Sequence, residues 1–120
     1  PMAIAASTLS LTTSGSIVAI TSDVDFVTDG GRVARIAGGS PMMPLVTAMG
    51  CSLTCLIGAF AAVAPPMEAT VSALTLFAEA GDRAARTASG PGTFTPQFLD
   101  QLHAITPEEF AATSWVTWEA

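Results

Sequence analysis

Leu53 to Val63 is the strongest apolar run in the chain, and it stops at Pro65-Pro66. Immediately before it, Thr47-Ala48-Met49-Gly50-Cys51 supplies small, backbone-exposing residues. A loop therefore breaks into a helix at Cys51, and the prolines end that helix at Ala64. The run is too short for a bilayer, which takes about 20 residues. A helix apolar all round belongs in a core, so it is expected to be buried.

The start of that helix is the chemically informative point. Helix N-termini carry unpaired N–H groups and about half a positive charge, so they attract anions such as phosphate. The same field favours the thiolate of a cysteine placed there. One segment could stabilise a transferring phosphoryl group and hold a base for the attacking hydroxyl.

The rest of the chain reads as one small domain or part of a larger one. Pro1 to Thr13 suits a helix, and Ser16 to Ile20 a short buried strand, together half of an α/β unit. Val24 to Thr28 and Arg32 to Ile36 flank Asp29-Gly30-Gly31, a hairpin signal with the polar pattern of a sheet edge. A loop follows to Met49, broken by Gly38-Gly39-Ser40-Pro41 and Pro44. A second long helix is expected from Met67 to Ala88, its Glu79–Arg83 and Asp82–Arg86 pairs forming a solvated face. Thr95-Pro96 precedes a short helix with Phe98, Leu99 and Leu102, and Thr106-Pro107-Glu108-Glu109 opens another. The tail with Trp115 and Trp118 has no pattern that assigns it.

Composition narrows the partners. There are 4 Lys and Arg against 10 Asp and Glu, a formal charge of -6, so a polyanion surface is excluded. Half the residues are apolar and 12% are charged; that leaves too little polar cover for a free-standing monomer of this size. The excess apolar surface is expected to meet another copy or further sequence. The N-terminus has no basic start with an apolar signal core, and a cytosolic protein is expected. Cys51 and Cys55 lie four residues apart, and one His, His103, is the remaining soft ligand. Two thiols without partners make neither a disulfide framework nor a metal site.

Three chemical readings fit Cys51. It could be a small buried hydrophobe. It could be a thiol nucleophile, with His103 as base and Asp100 as the group that orients it. Or it could serve phosphoryl transfer to an alcohol, with the amides of Ala48 to Cys51 as the anion cradle. For the third reading no acidic metal cluster adjoins the loop; Asp23, Asp25 and Asp29 lie on the hairpin and could equally serve solvation.

Several motifs occur in order. They are Thr21 to Gly30 (Thr-x-x-x-Asp-Phe-Val-Thr-Asp-Gly), Gly38-Gly39-Ser40-Pro-Met-Met, Thr47-Ala-Met-Gly-Cys51, and Ser89-Gly-Pro-Gly-Thr-Phe through Asp100. Together, over about residues 1 to 105, they resemble the C-terminal half of the hydroxyethylthiazole kinase family. The resemblance implies an α/β, ribokinase-like three-layer fold, with residues 106–120 as a C-terminal tail. It implies ATP-dependent phosphorylation of 4-methyl-5-(2-hydroxyethyl)thiazole in thiamine salvage, with Mg²⁺, in a trimer whose active sites lie between subunits. By the same resemblance Cys51 stands at the catalytic-base position, and Thr21 where ATP phosphates are contacted. Met49 and Gly50 fall in the anion hole, and Ala48 also where the thiazole is touched; no metal ligand is assigned.

The chain departs from the family pattern in three places. Ala48-Met49-Gly50-Cys51 replaces the common Gly-Thr-Gly-Cys, and Ser22-Asp23 follows Thr21 where Gly-Glu is frequent. The N-terminal half, which in the family supplies most of the thiazole pocket, is expected to reside elsewhere in a longer enzyme or a companion. A non-catalytic interaction module, or a related sugar or pyrimidine-alcohol kinase, are the alternatives.

Overall fold

The computed structural model describes residues 16–119, and the helix expected over Pro1 to Thr13 lies outside the described residues. Among the described residues four strands form one antiparallel sheet in chain order: β1 (Val18–Ile20), β2 (Asp25–Thr28), β3 (Val33–Ile36) and β4 (Val116–Glu119). The helices are α1 (Met49–Ala61), α2 (Pro66–Thr87), α3 (Pro91–Ala104) and α4 (Pro107–Ala111), with a 3₁₀ turn at Met43–Leu45.

The hairpin forms as its sequence predicts, with Asp25 opposite Ile36 and Thr28 opposite Val33. Its turn is closed by side chains. The Asp29 carboxylate accepts the Gly31 and Arg32 N–H groups at 3.0 and 2.8 Å, an Asx-type turn. Gly30 takes φ +97°, where glycine is favoured. Thr28 Oγ1 donates to the Arg32 carbonyl at 2.7 Å and accepts the Gly30 N–H at 3.0 Å.

The hairpin does not lie at an edge of the described sheet. β1 pairs with β2, Ile20 facing Phe26, and the unassigned tail becomes β4, with Val116 opposite Ile36. The Ala37 N–H extends that ladder by donating to the Trp115 carbonyl at 3.0 Å. β1 is one of the two outer strands of the described sheet, with Ala19 exposed and Val18 and Ile20 half-buried, against the expectation of a buried strand.

α2 is the central helix. The β2–β3 layer packs on it, as do α1 and α3, and its bounds fall one residue from those expected. Val27, Ile36, Leu74, Phe77, Phe94 and Phe98 make the core. Phe98 meets Phe77 edge-on at 4.8 Å and stacks with Phe94 at 5.8 Å. Phe94 and Phe98 are both 0% exposed. That packing draws the Pro91 turn into α3, so the helix begins before Thr95-Pro96 and carries Pro96 inside it. α4 opens on a capping box, the Thr106 side chain accepting the Glu109 N–H and the Glu109 carboxylate accepting the Thr106 N–H.

Two expectations about helices need correction. α1 is not buried: Leu53 is its one buried residue, and Val63 just beyond it is 85% exposed. A helix apolar on all sides presents one stripe to a single neighbour; Met49, Leu53, Leu56 and Ile57 turn to the core, while Cys51, Cys55 and Ala59 face outward. The polar side of α2 is also not uniformly solvated. Asp82 and Arg86 form an outward pair, whereas Glu79 is 9% exposed. Its carboxylate accepts from Arg83 Nε at 2.7 Å and from the Trp115 indole N–H at 2.6 Å.

Candidate functional site

The 37–45 segment crosses from β3 to α1 and forms one wall of a cavity of about 690 Å³. Ala37, Gly38, Gly39, Ser40 and Pro41 line that wall, with Phe77 and Ala78 of α2 behind them. Thr21, Ser22, Asp23 and Asp25 come in from the β1–β2 connection, and Met49, Gly50 and Leu53 from the start of α1. Thr21, Met49 and Gly50, remote in sequence, therefore meet in one cavity.

The α1 terminus is open. Ala48, its N-cap, holds φ +65° and ψ +10°, and no side chain caps the helix. Ala48 is the one described non-glycine residue at positive φ. That left-handed backbone costs an L-residue about 1–2 kcal/mol, and here it turns the chain sharply into the helix. The first-turn amides lack intrahelical acceptors, and a Cβ on Gly50 would meet nothing within 4 Å. An uncapped positive helix end facing free space is suited to an anion.

Ala48 and Cys51 adjoin this wall without lining it, and both are exposed. Cys51 is exposed in this chain, so it is not a hydrophobe of this chain's own core. His103 and Asp100 are exposed residues of α3 that are not among the residues lining the cavity, so a Cys51–His103 nucleophile pair finds no support. Cys55, a turn beyond Cys51, is exposed as well. Among the described residues no group of three or more His, Cys, Asp or Glu is placed to hold a metal ion, and no helix is long and apolar enough to cross a membrane.

The carboxylates on the hairpin divide. Asp29 is occupied by the turn, far along β2 from the cavity. Backbone N–H bonds from Arg32 and Gly31, aided by the Arg32 guanidinium, hold its pKa down at about 2. Asp25 lines the cavity and accepts the Ser22 N–H at 2.9 Å. Burial pushes its carboxyl up, against the lowering effect of that hydrogen bond. Asp25 and the Gly38–Ser40 wall are the site elements that spacing did not single out. The available signal was the Gly38-Gly39-Ser40-Pro41 break, whose small residues let backbone line a ligand space.

The fold is that of the C-terminal part of a ribokinase-like protein. It superimposes on a solved structure of hydroxyethylthiazole kinase protein from Pyrococcus horikoshii OT3 with a TM-score of 0.93 and 31% identity, covering 99% of this chain and 46% of that one. The chain belongs to the hydroxyethylthiazole kinase family, whose sequence profile matches residues 2–108. Hydroxyethylthiazole kinase of Gemmatimonas aurantiaca is 63% identical over 106 residues, 88% of this chain and 38% of that protein. The same-named protein of Cereibacter sphaeroides strain ATCC 17029 is 61% identical over 95 residues, 79% of this chain and 36% of that protein. The chain thus spans less than two fifths of the length of these curated relatives.

Proposed function

We propose that the protein to which this chain contributes transfers the γ-phosphoryl group of ATP to the hydroxyl of 4-methyl-5-(2-hydroxyethyl)thiazole, in thiamine salvage. The observation that carries the proposal is the meeting of Thr21 with the uncapped α1 terminus at Met49 and Gly50 in one cavity, within a chain of this family.

In this reading the ATP phosphates lie between Thr21 and the amides of Met49 and Gly50, and Ala48 borders the thiazole. Cys51, on the same first turn, accepts the proton of the substrate hydroxyl as its oxygen attacks the γ-phosphorus, and ADP leaves. The helix field and the loop amides stabilise the charge on the transferring group. A Mg²⁺ ion bound with substrate phosphates needs one or two protein carboxylates, and Asp23 and Asp25 are the acids this chain brings to the cavity. When bound, the ion neutralises phosphate charge.

The outward apolar face of α1 favours assembly. We infer that it packs against the remainder of a full-length enzyme, or against a neighbouring subunit of a trimer, in a cytoplasmic protein. Mass-spectrometric detection of the thiazole phosphate after incubation of the intact protein with MgATP and the thiazole alcohol tests the proposal. Product that forms only with both substrates supports it. Folded protein that yields none overturns it.

A further inference from the structure

The cavity wall at Gly38 is pressed from outside by a residue that takes no part in lining the cavity. A Cβ on Gly38 would sit 2.6 Å from Trp115 Cδ2, 2.9 Å from its Cγ and 3.0 Å from Ala78 Cβ. The Cβ side of Gly38 is therefore filled by the indole ring and Ala78 of α2 together, a clamp against which the bare Cα packs and which no side chain could enter. The clamp is itself held at two points. The Trp115 carbonyl accepts the Ala37 N–H at 3.0 Å, and the Trp115 Nε1–H donates to Glu79 Oε2 at 2.6 Å.

Glu79 is a fixed anchor for that indole. Its other oxygen takes Arg83 Nε at 2.7 Å, and Arg83 reaches on to Glu109 Oε2 at 3.0 Å. Burial pushes the Glu79 carboxyl up, but the hydrogen bonds from Arg83 and Trp115 outweigh it and keep the carboxylate ionised below its ordinary range. Trp115 borders a second, shallower hollow with Glu79, Arg83 and Glu109, whose lining shares no residue with that of the main cavity. It also lies past residue 108, where the family match ends.

We propose that Trp115, anchored by Glu79, is a positioning residue that sets the Gly38–Gly39–Ser40 wall of the cavity from behind. Its effect on nucleotide binding rests on the function proposed above; its effect on the wall does not. A pocket wall made of glycine backbone has little rigidity of its own, and a site a fraction of an ångström too loose loses binding. The clamp supplies the rigidity.

The test compares Trp115→Ala, Trp115→Phe and the control Trp118→Phe in the intact protein. Two readouts are taken: amide hydrogen exchange along residues 37–45, and steady-state kinetics with MgATP. Trp115→Ala is expected to speed exchange at Gly38 to Ser40 about tenfold and to raise the KM for MgATP about tenfold, with kcat changing less than about threefold. Trp115→Phe keeps a ring against Gly38 but loses the bond to Glu79, so exchange at Gly38 to Ser40 is expected to rise about threefold, which keeps the test decisive if the alanine variant folds poorly. Trp118→Phe leaves exchange at the wall unchanged. Unchanged exchange at Gly38 to Ser40 in both Trp115 variants, or equal acceleration throughout α2, overturns the proposal. Faster exchange confined to the wall with an unchanged KM supports the positioning role and overturns the assignment of the cavity to nucleotide.

Discussion

The Met43 thioether fills the space a side chain at Gly81 would need: a Cβ there would lie 2.5 Å from Met43 Sδ, 3.2 Å from Cε and 3.4 Å from Cγ. Gly81 sits inside α2, where alanine would gain about 1 kcal/mol of helix propensity. The notch is kept in spite of that cost because it seats the 37–45 segment on α2, at the opposite end from the Gly38 contact. Overpacking costs about 1–3 kcal/mol, and the flexible Met43 thioether gives way for part of that, so Gly81→Ala is expected to lower stability by no more than about 1 kcal/mol net. The companion Met43→Ala change removes the clash. In a double-mutant cycle by denaturant unfolding, Gly81→Ala should become neutral or stabilising in the Met43→Ala background. Additive losses would show that the notch does not hold the segment.

Ala48 carries backbone strain at the head of α1. At φ +65° an alanine is disfavoured where a glycine is at ease. Ala48→Gly is expected to raise stability by about 0.5–1 kcal/mol, the steric relief exceeding the added entropy of the unfolded chain. Thermal unfolding of the intact protein checks the sign. A loss of stability would mean that the methyl group makes a contact worth more than the strain.

These two sites show what was legible in the sequence and what was not. Elements set by local chemistry could be read directly. Asp29-Gly30-Gly31 makes its own turn through carboxylate–amide bonds, and Thr106 and Glu109 cap each other; Pro65-Pro66 marks the junction of α1 and α2, although α1 runs from Met49 to Ala61 rather than from Cys51 to Ala64. The gathering of Thr21 with Met49 and Gly50 was reached through family motifs rather than through spacing. Features that depend on distant partners stayed hidden. Val116 to Glu119 is a strand because β3 offers it a ladder. Pro96 is tolerated within α3 because Phe94 and Phe98 are locked in the core on either side of it. Glu79 looked like half of a surface pair, yet the Trp115 indole brought by β4 covers it. Apolarity alone likewise could not show that α1 has a single neighbour to pack on.

The Asp29 turn predicts an acid limb in the stability curve. Its carboxyl has a pKa of about 2 in the fold against an ordinary 3.8. A depressed carboxyl contributes stability above the unfolded value and loses it as pH falls from about 3.8 toward about 2. Asp29→Asn keeps an acceptor for the Gly31 and Arg32 amides but has no charge to lose. The group faces solvent, so screening keeps the effect small, about 1–2 °C in Tm. Above pH 5 the natural protein should be the more stable by that amount, and the two melting curves should converge near pH 2. Parallel curves from pH 5 to pH 2 would show that Asp29 works through geometry alone.

Cys51 provides the sharpest test of chemistry, because it is exposed on the first turn of α1 and carries little packing. Cys51→Ala removes a single sulfur atom and should lower Tm by no more than a few degrees, even with the outward face of α1 covered in the intact protein. If its sulfur takes the proton of the substrate hydroxyl, loss of general-base catalysis lowers kcat by about 10²–10⁴-fold. In the proposed function the nucleotide is held by backbone amides and Thr21, which the substitution leaves in place, so the Kd for MgATP should stay within about threefold. Cys51→Asp replaces the thiol with a carboxylate able to accept a proton and should recover part of the lost rate. Rate and nucleotide affinity falling together, with no recovery in Cys51→Asp, would assign Cys51 to shaping the α1 terminus and leave the proton acceptor to another group. The neighbouring Cys55→Ala change should alter neither quantity, since its side chain lies a full turn from the helix end that meets the cavity.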